Sequence, residues 1–250
     1  MRALQRSPFC NKVRAFLDYY GVPYSVVEVN PLTKKEIKDW SSDYKKVPIV
    51  TLNNRSEKLI DSSEIIDTLY SRLAESNPKG IGKEKALKER KRNASSLEEE
   101  KEWRRWVDKR WVHVVTPNLY RTAKEAKQSF DYMTEHGNFT SYERETARYF
   151  GAAFMYGMSK YKLKPRHNIT DERQAMYDEA DKFVNALGNR SFMGGKEPNL
   201  ADLSVFGIVR AIQGTDTFTD LMANTGMQPW FSRMEAAVGQ SSECRECAAQ

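Results

Sequence analysis

A chain of 250 residues, 40% hydrophobic and 30% charged, has the composition of a soluble globular protein of one large or two small domains. Eleven Phe, twelve Tyr and five Trp supply core enough to exclude a wholly disordered chain, and no apolar run approaches the ~20 residues that cross a bilayer. The net charge of +6 permits binding to nucleic acid or anionic lipid, but no finger, basic-zipper or aromatic RNA-binding motif accompanies it, so no nucleic-acid partner is expected. Three cysteines, two of them in the last seven residues, make no disulfide framework. A reducing compartment, the cytoplasm, is the default.

Residues 1–75 alternate strand-like and helix-like patterns. Val13, Phe16, Leu17 and Tyr20 recur at helical spacing from Cys10, and Gly21 and Pro23 close that helix. Tyr24 to Val29 reads as a strand, and Thr33 to Trp40 as a short helix. Val47 to Leu52 reads as a second strand, Asn53-Asn54 as a turn and Lys58 to Ile60 as a return strand. Asp61-Ser62 then caps a helix carrying Ile65, Ile66, Leu69, Tyr70 and Leu73. The order (β)αβαββα fits a small mixed sheet with helices packed on it.

Charge, Gly and Asn dominate residues 76–97, with seven basic residues between Lys79 and Arg92. This stretch is read as a charged linker. Residues 98–240 read as helical. Trp103, Trp106, Val107, Trp111 and Val114 form one stripe, and Glu143 to Lys162 and Thr170 to Leu187 are further helices. Asn199 to Ile212 is apolar on nearly all sides, as a central buried helix is. Asn199 and Asp202 have the spacing of a capping box, which assigns Asp202 a structural role. Residues 241–250 are polar and read as a disordered tail, Cys244 and Cys247 included.

Chemistry is concentrated at Ser7-Pro8-Phe9-Cys10. Ser7 stands where an N-cap would, with Pro8 at the favoured first helical position. A helix start presents unpaired amides and a positive dipole end, which favour a thiolate. Ser7 and Cys10 are therefore the catalytic candidates. Val47-Pro48 opens a strand with a residue that cannot donate to a ladder, which suits a cis bond and an edge left open for an extended peptide. Asp61 and Ser62 start another helix, where a carboxylate and an ammonium can both be held. A thiol-activating helix start, an open edge and an amino-acid clamp together describe a glutathione site, with Phe9, Val47, Pro48, Asp61 and Ser62 as its lining.

These residues resemble a known arrangement. The first third looks like a thioredoxin or glutaredoxin-like α/β domain, and the remainder like the helical C-terminal domain of glutathione transferases. Residues 7–17, 27–31, 46–49, 61–63, 112–121 and 192–203 are similar to the type-2 microsomal prostaglandin E synthase family. The last two strings, around Pro117-Asn118-Leu119-Tyr120-Arg121 and Gly194-Gly195-Lys196-Glu197-Pro198, are not general transferase features. The resemblance implies a glutathione-binding homodimer that isomerises prostaglandin H endoperoxide to prostaglandin E. It also implies haem ligated by the glutathione sulfur, with His113 near the haem or substrate cavity. Arg166, in a basic segment with His167, is the candidate for meeting haem propionates or substrate there.

The sequence departs from the family at one position. The family pattern is Cys-Pro-Phe-Cys, and Ser7 stands in place of its first cysteine, the one credited with catalysis. A serine forms no mixed disulfide, but its hydroxyl can lower the pKa of a bound thiol. The alternatives are therefore a serine-type glutathione transferase acting on electrophiles, or a haem- and glutathione-binding protein without turnover. The family's membrane-spanning N-terminal segment is absent from this sequence, so an organelle or membrane-associated location is the alternative for a longer chain. Three scattered histidines, His113, His136 and His167, give no metal pattern, and no metal site is expected.

Overall fold

The stripe Val13, Phe16, Leu17 and Tyr20 folds inward along helix α1 (Pro8–Tyr19), capped by Ser7 with Pro8 in its first turn. The computed structural model describes residues 1–4, 6–30, 33–38, 41, 44–52, 57–75, 93–130 and 141–244. Around α1 lie strands β1 (Arg2–Ala3), β2 (Val27–Glu28), β3 (Ile49–Leu52) and β4 (Glu57–Ile60), with helices α2 (Lys35–Lys38) and α3 (Ser62–Glu75). The sheet order is β2-β1-β3-β4. β1 runs parallel to β2, pairing Ala3 with Glu28, and antiparallel to β3, pairing Arg2 with Ile49. β3 and β4 form an antiparallel pair from Ile49 opposite Ile60 to Leu52 opposite Glu57. This is the expected βαβαββα order on a mixed sheet. The Asn53-Asn54 turn lies outside the described residues.

Two expectations need correction. The strand read over Tyr24 to Val29 is confined to Val27–Glu28. Tyr24 instead bridges Glu243 in parallel, its amide donating to the Ser242 carbonyl at 3.3 Å and its carbonyl accepting from Cys244 at 2.8 Å. Residues 241–244, read as part of a disordered tail, are thus an ordered strap. Buried Asp18 anchors it, accepting from the Ser242 amide at 2.9 Å, the Tyr24 hydroxyl at 3.0 Å and Arg210 at 2.8 Å. A polar tail can be held this way because one buried carboxylate collects several donors. Cys247 lies outside the described residues.

The helical half follows. α4 (Ala94–Trp106) passes through a π-helical turn (Val107–Trp111) into α5 (Val112–Asn118). Then come α6 (Ala123–Gln128), α7 (Ser141–Met158), a second π-helical turn (Ser159–Leu163) and α8 (Lys164–Arg166). α9 (Glu172–Leu187), α10 (Leu200–Ala211), α11 (Asp216–Asn224) and α12 (Met227–Val238) complete it. The linker read over 76–97 lies outside the described residues up to 92, and its last residues already belong to α4. The π-turn carries Val107 and Trp111 into the core, where the Trp106 ring stacks on Trp111 at 5.5 Å.

α10 is the buried centre that its composition indicates, sealed along its length except at Arg210. It lies directly on α1. A Cβ on Gly207 would fall 2.6 Å from the Lys12 backbone and 2.7 Å from the Asn11 carbonyl, so only glycine permits this approach. That contact fixes the helical half against the start of α1.

The 112–121 string proves structural as well. Buried Asn118 donates to the Val114 and Glu172 carbonyls, both at 2.8 Å, and accepts from Arg173 at 2.9 Å. Arg173 also pairs with Glu125 and Asp220. The ring of bonds partners both terminal nitrogens of a buried guanidinium, though not its Nε, and locks α5, α6, α9 and α11 together.

Candidate active site

Ser7 holds extended backbone (φ −72°, ψ 122°), and its Oγ accepts the Cys10 amide at 3.4 Å. Its carbonyl already serves the Asn11 amide at 3.0 Å and the Asn11 side chain at 3.1 Å. The hydroxyl thus accepts from the helix through the Cys10 amide, and it also lies in bonding contact with the Cys10 thiol. No acidic residue occupies the first turn of α1, so nothing there competes for an anion.

Cys10 is different. It is fully buried, and its Sγ accepts the Leu4 amide at 3.4 Å. Burial pushes its thiol up to about 11, against smaller opposing effects of the bonds to Ser7 and Leu4. A protonated thiol without access is no nucleophile at neutral pH. Cys10, a catalytic candidate from the sequence, is corrected to a core residue.

The Val47–Pro48 bond is cis. Pro48 is buried, and Val47 lies two residues before β3, outside the ladder. Phe9 is half-buried against the main core. Asp61 is exposed and sits in the left-handed region at φ 65°. Its Oδ1 caps α3 by accepting the Ser63 amide at 2.9 Å and the Glu64 amide at 3.4 Å. These bonds use one carboxylate oxygen only. Ser62 is buried behind it. The Tyr44 phenol lies against the Asp61 backbone, and the 3.1 Å bond from Lys12 to Ser63 Oγ sets the starts of α1 and α3 side by side.

Behind them lies a group that the sequence reading missed. Lys12, only 1% exposed, donates to Asp108 and, at 3.1 Å, to Ser63 Oγ. Ser63 Oγ in turn donates to the other Asp108 oxygen at 2.7 Å. Burial holds the Lys12 ammonium below its ordinary range, and Asp108 opposes that shift. A signal was available: Lys12 stands four residues before Phe16 on the apolar row of α1, where a lysine needs a buried counter-charge.

Asp108 also acts on His113. Its ring stacks on His167, with centroids 4.0 Å apart and planes 13° from parallel. Burial, then His167 and Arg166, keep His113 below the usual histidine value, and Asp108 opposes them. Burial, Arg166 and Arg110 do the same to His167. Arg166 ends α8 exposed beside the pair. Asp108 thus bonds Lys12 and Ser63 beside the predicted glutathione clamp and also acts on the charge of His113. His136 lies outside the described residues. A separate cavity of about 350 Å³, lined by Leu17, Val22, Tyr24, Leu52 and Cys244 among others, sits at the opposite end of α1 and includes no predicted site residue.

Asp202 is the capping-box acid that its spacing predicts. It accepts from Asn199, Gly194 and Met193 amides at 3.0, 3.0 and 2.9 Å and from Trp230 Nε1 at 3.1 Å. Burial raises its carboxyl above the usual range, while these four donors pull it back.

Residues 3–77 match the family described as the glutathione S-transferase N-terminal domain. The chain is 41% identical to prostaglandin E synthase 2 of Mus musculus over 94% of its own length and 68% of that protein. The chain belongs to the prostaglandin E synthase 2 family. Solved structures agree on the fold. A glutathione S-transferase III in apo form superposes with a TM-score of 0.60 at 15% identity, covering 94% of this chain and 90% of that one. A glutathione S-transferase from Methylobacterium radiotolerans, in complex with glutathione sulfonate, superposes with a TM-score of 0.55 at 14% identity, covering 97% and 93%. Within the prostaglandin E synthase 2 family, then, this member combines a serine at the helix start with a sealed second cysteine.

Proposed function

We propose that this chain is a glutathione-dependent isomerase of prostaglandin H endoperoxide to prostaglandin E, with the attacking sulfur supplied by glutathione and not by the protein. One observation carries the second clause. Ser7 Oγ stands at the helix start while the Cys10 thiol is buried and pushed up to about 11. Neither side chain can serve as the attacking thiolate.

The residues fit glutathione. The free oxygen of Asp61 takes the γ-glutamyl ammonium, and the Ser62 amide at the start of α3, the first-turn amide that the Asp61 cap does not use, takes its carboxylate. The Val47 backbone pairs with the peptide as an added strand would. Ser7 donates a hydrogen bond from its hydroxyl to the sulfur and so favours the thiolate. Glutathione supplies the nucleophile that opens the O–O bond and departs unchanged as the carbonyl forms, so the conversion needs no outside oxidant or reductant. His113, kept neutral, accepts the carbinol proton on the helical side of Asp108. Arg166 meets the carboxylate of the substrate or a haem propionate beside the stacked histidines. The reading includes a homodimer, for which Tyr149, Phe150, Phe154 and Tyr161, all more than half exposed on or just after α7, offer apolar surface.

Calorimetric titration with glutathione, followed by product analysis with and without it, tests this. Prostaglandin E should form only when glutathione is bound. Turnover without glutathione would refute the assignment of the sulfur, and absence of binding would refute the reading. The serine-transferase alternative rests on the same Ser7 hydroxyl and is favoured if a test electrophile is conjugated while the endoperoxide is left intact. A Soret band appearing only with haem and glutathione together would identify the binding protein without turnover.

A further inference from the structure

We infer that Lys12, Asp108 and Ser63 form a positioning device for the glutathione site, in which a carboxylate of the helical half sets the geometry of the first turn of α3. The inference rests on the glutathione reading above and adds a specific mechanical role to residues which that reading leaves idle.

Three elements meet in one closed ring of bonds. Lys12 comes from α1, Ser63 from the first turn of α3 and Asp108 from the π-helical turn. The Ser63 hydroxyl uses both its capacities, accepting from Lys12 and donating to Asp108. Its amide donates to Asp61 Oδ1. Asp108 is therefore tied through a single residue to the carboxylate that receives the γ-glutamyl ammonium. Asp61 sits at positive φ, a backbone state that a non-glycine residue keeps only where its surroundings hold it.

The ring is not needed to join the two halves. Gly207 against Lys12 already brings α10 onto α1, and Arg104 grips Asp67 in the middle of α3 at 2.6 Å. What neither contact reaches is the first turn of α3. A lysine with 1% exposure paired to a carboxylate is also a poor choice for stability alone, because apolar residues of similar size commonly do as well. Asp108 keeps a third of its side chain exposed, and His113 feels its charge.

The test uses the full chain with Lys12→Met and Asp108→Leu combined, so that no buried charge is left alone. Thermal unfolding should stay cooperative and close to wild type. Glutathione affinity by calorimetry should fall about tenfold, the scale of one charge-assisted hydrogen bond. The KM for glutathione should rise in parallel while kcat at saturating glutathione holds. Ser63→Ala should give a smaller loss of the same kind, and Ser63→Thr should restore it. A stable double variant that binds glutathione as wild type does would overturn the inference and leave the glutathione reading standing. Wild type that fails to bind glutathione would overturn both. If the double variant does not fold, Ser63→Ala decides: unchanged affinity there overturns the inference.

Discussion

The starts of α1 and α10 use similar devices to different ends. At α10, Asn199 Oδ1 accepts two amides at 2.9 and 3.0 Å, and Asp202 returns the bond and takes three more donors. Every group there is buried and satisfied. At α1, Ser7 takes the Cys10 amide in one long bond and also touches the Cys10 thiol, no acid follows, and the hydroxyl remains half-buried. A carboxylate with a full set of inward donors is architecture. A half-buried cap at a helix start with no acid of its own is the position proposed above for binding the sulfur. Residue type alone would have pointed the other way, since an acid is the more usual catalyst.

That contrast can be broken most forcefully at Asp202. Asp202→Ala leaves four buried donors without an acceptor and should cost about 3–5 kcal/mol, more than a cap alone contributes. The melting temperature should drop by on the order of 10 °C, while protein that remains folded keeps its specific activity. An equally stable but inactive variant would overturn the structural assignment of Asp202. Asp61 is the opposite case. Asp61→Ala should weaken glutathione binding by about 1.5–3 kcal/mol, roughly 10- to 100-fold in Kd. Its loss of stability should be limited to about 1 kcal/mol from the cap. Unchanged affinity in a folded variant would place the pocket elsewhere.

A smaller effect sharpens the picture on the helical side. His113 and His167 both titrate below the ordinary histidine value in the fold. Between about pH 6.5 and their folded values the unfolded chain binds more protons, so stability should fall as pH drops through that window. Melting temperatures at neutral and mildly acidic pH should show this slope in wild type. The slope should flatten when both histidines are changed to Gln; an equal slope would show that the stacked pair carries no such linkage.

Local motifs made much of this legible in sequence. The Ser7 cap, the Asn199–Asp202 box, the Asp61 helix start and the βαβαββα order are each written within a few residues. What could not be read are partners far apart in the chain. Lys12 meets Asp108 across 96 positions, and Arg210 meets Asp18 across 192. The strap of residues 241–244 looked disordered because its composition is polar, yet Asp18 and Tyr24 supply the bonds that order it. Cys10 looked reactive because it sits near a helix start, and only the packing around it shows that burial outweighs the bonds to Ser7 and Leu4 that favour the thiolate. The π-turn that aims Asp108 at Ser63 has no signature in composition.

The central claim is that the Ser7 hydroxyl, and no protein thiol, activates the sulfur at this site. A spectroscopic pH titration of the bound glutathione thiol in wild type and in Ser7→Ala tests it directly, with thermal stability measured alongside because the cap contributes about 1 kcal/mol. The account predicts that wild type holds the bound thiol at a lower pKa than free glutathione, and that Ser7→Ala raises it and slows turnover in step. Identical titration curves for the two proteins, at equal occupancy and with both folded, would contradict it and leave Ser7 as a helix cap alone.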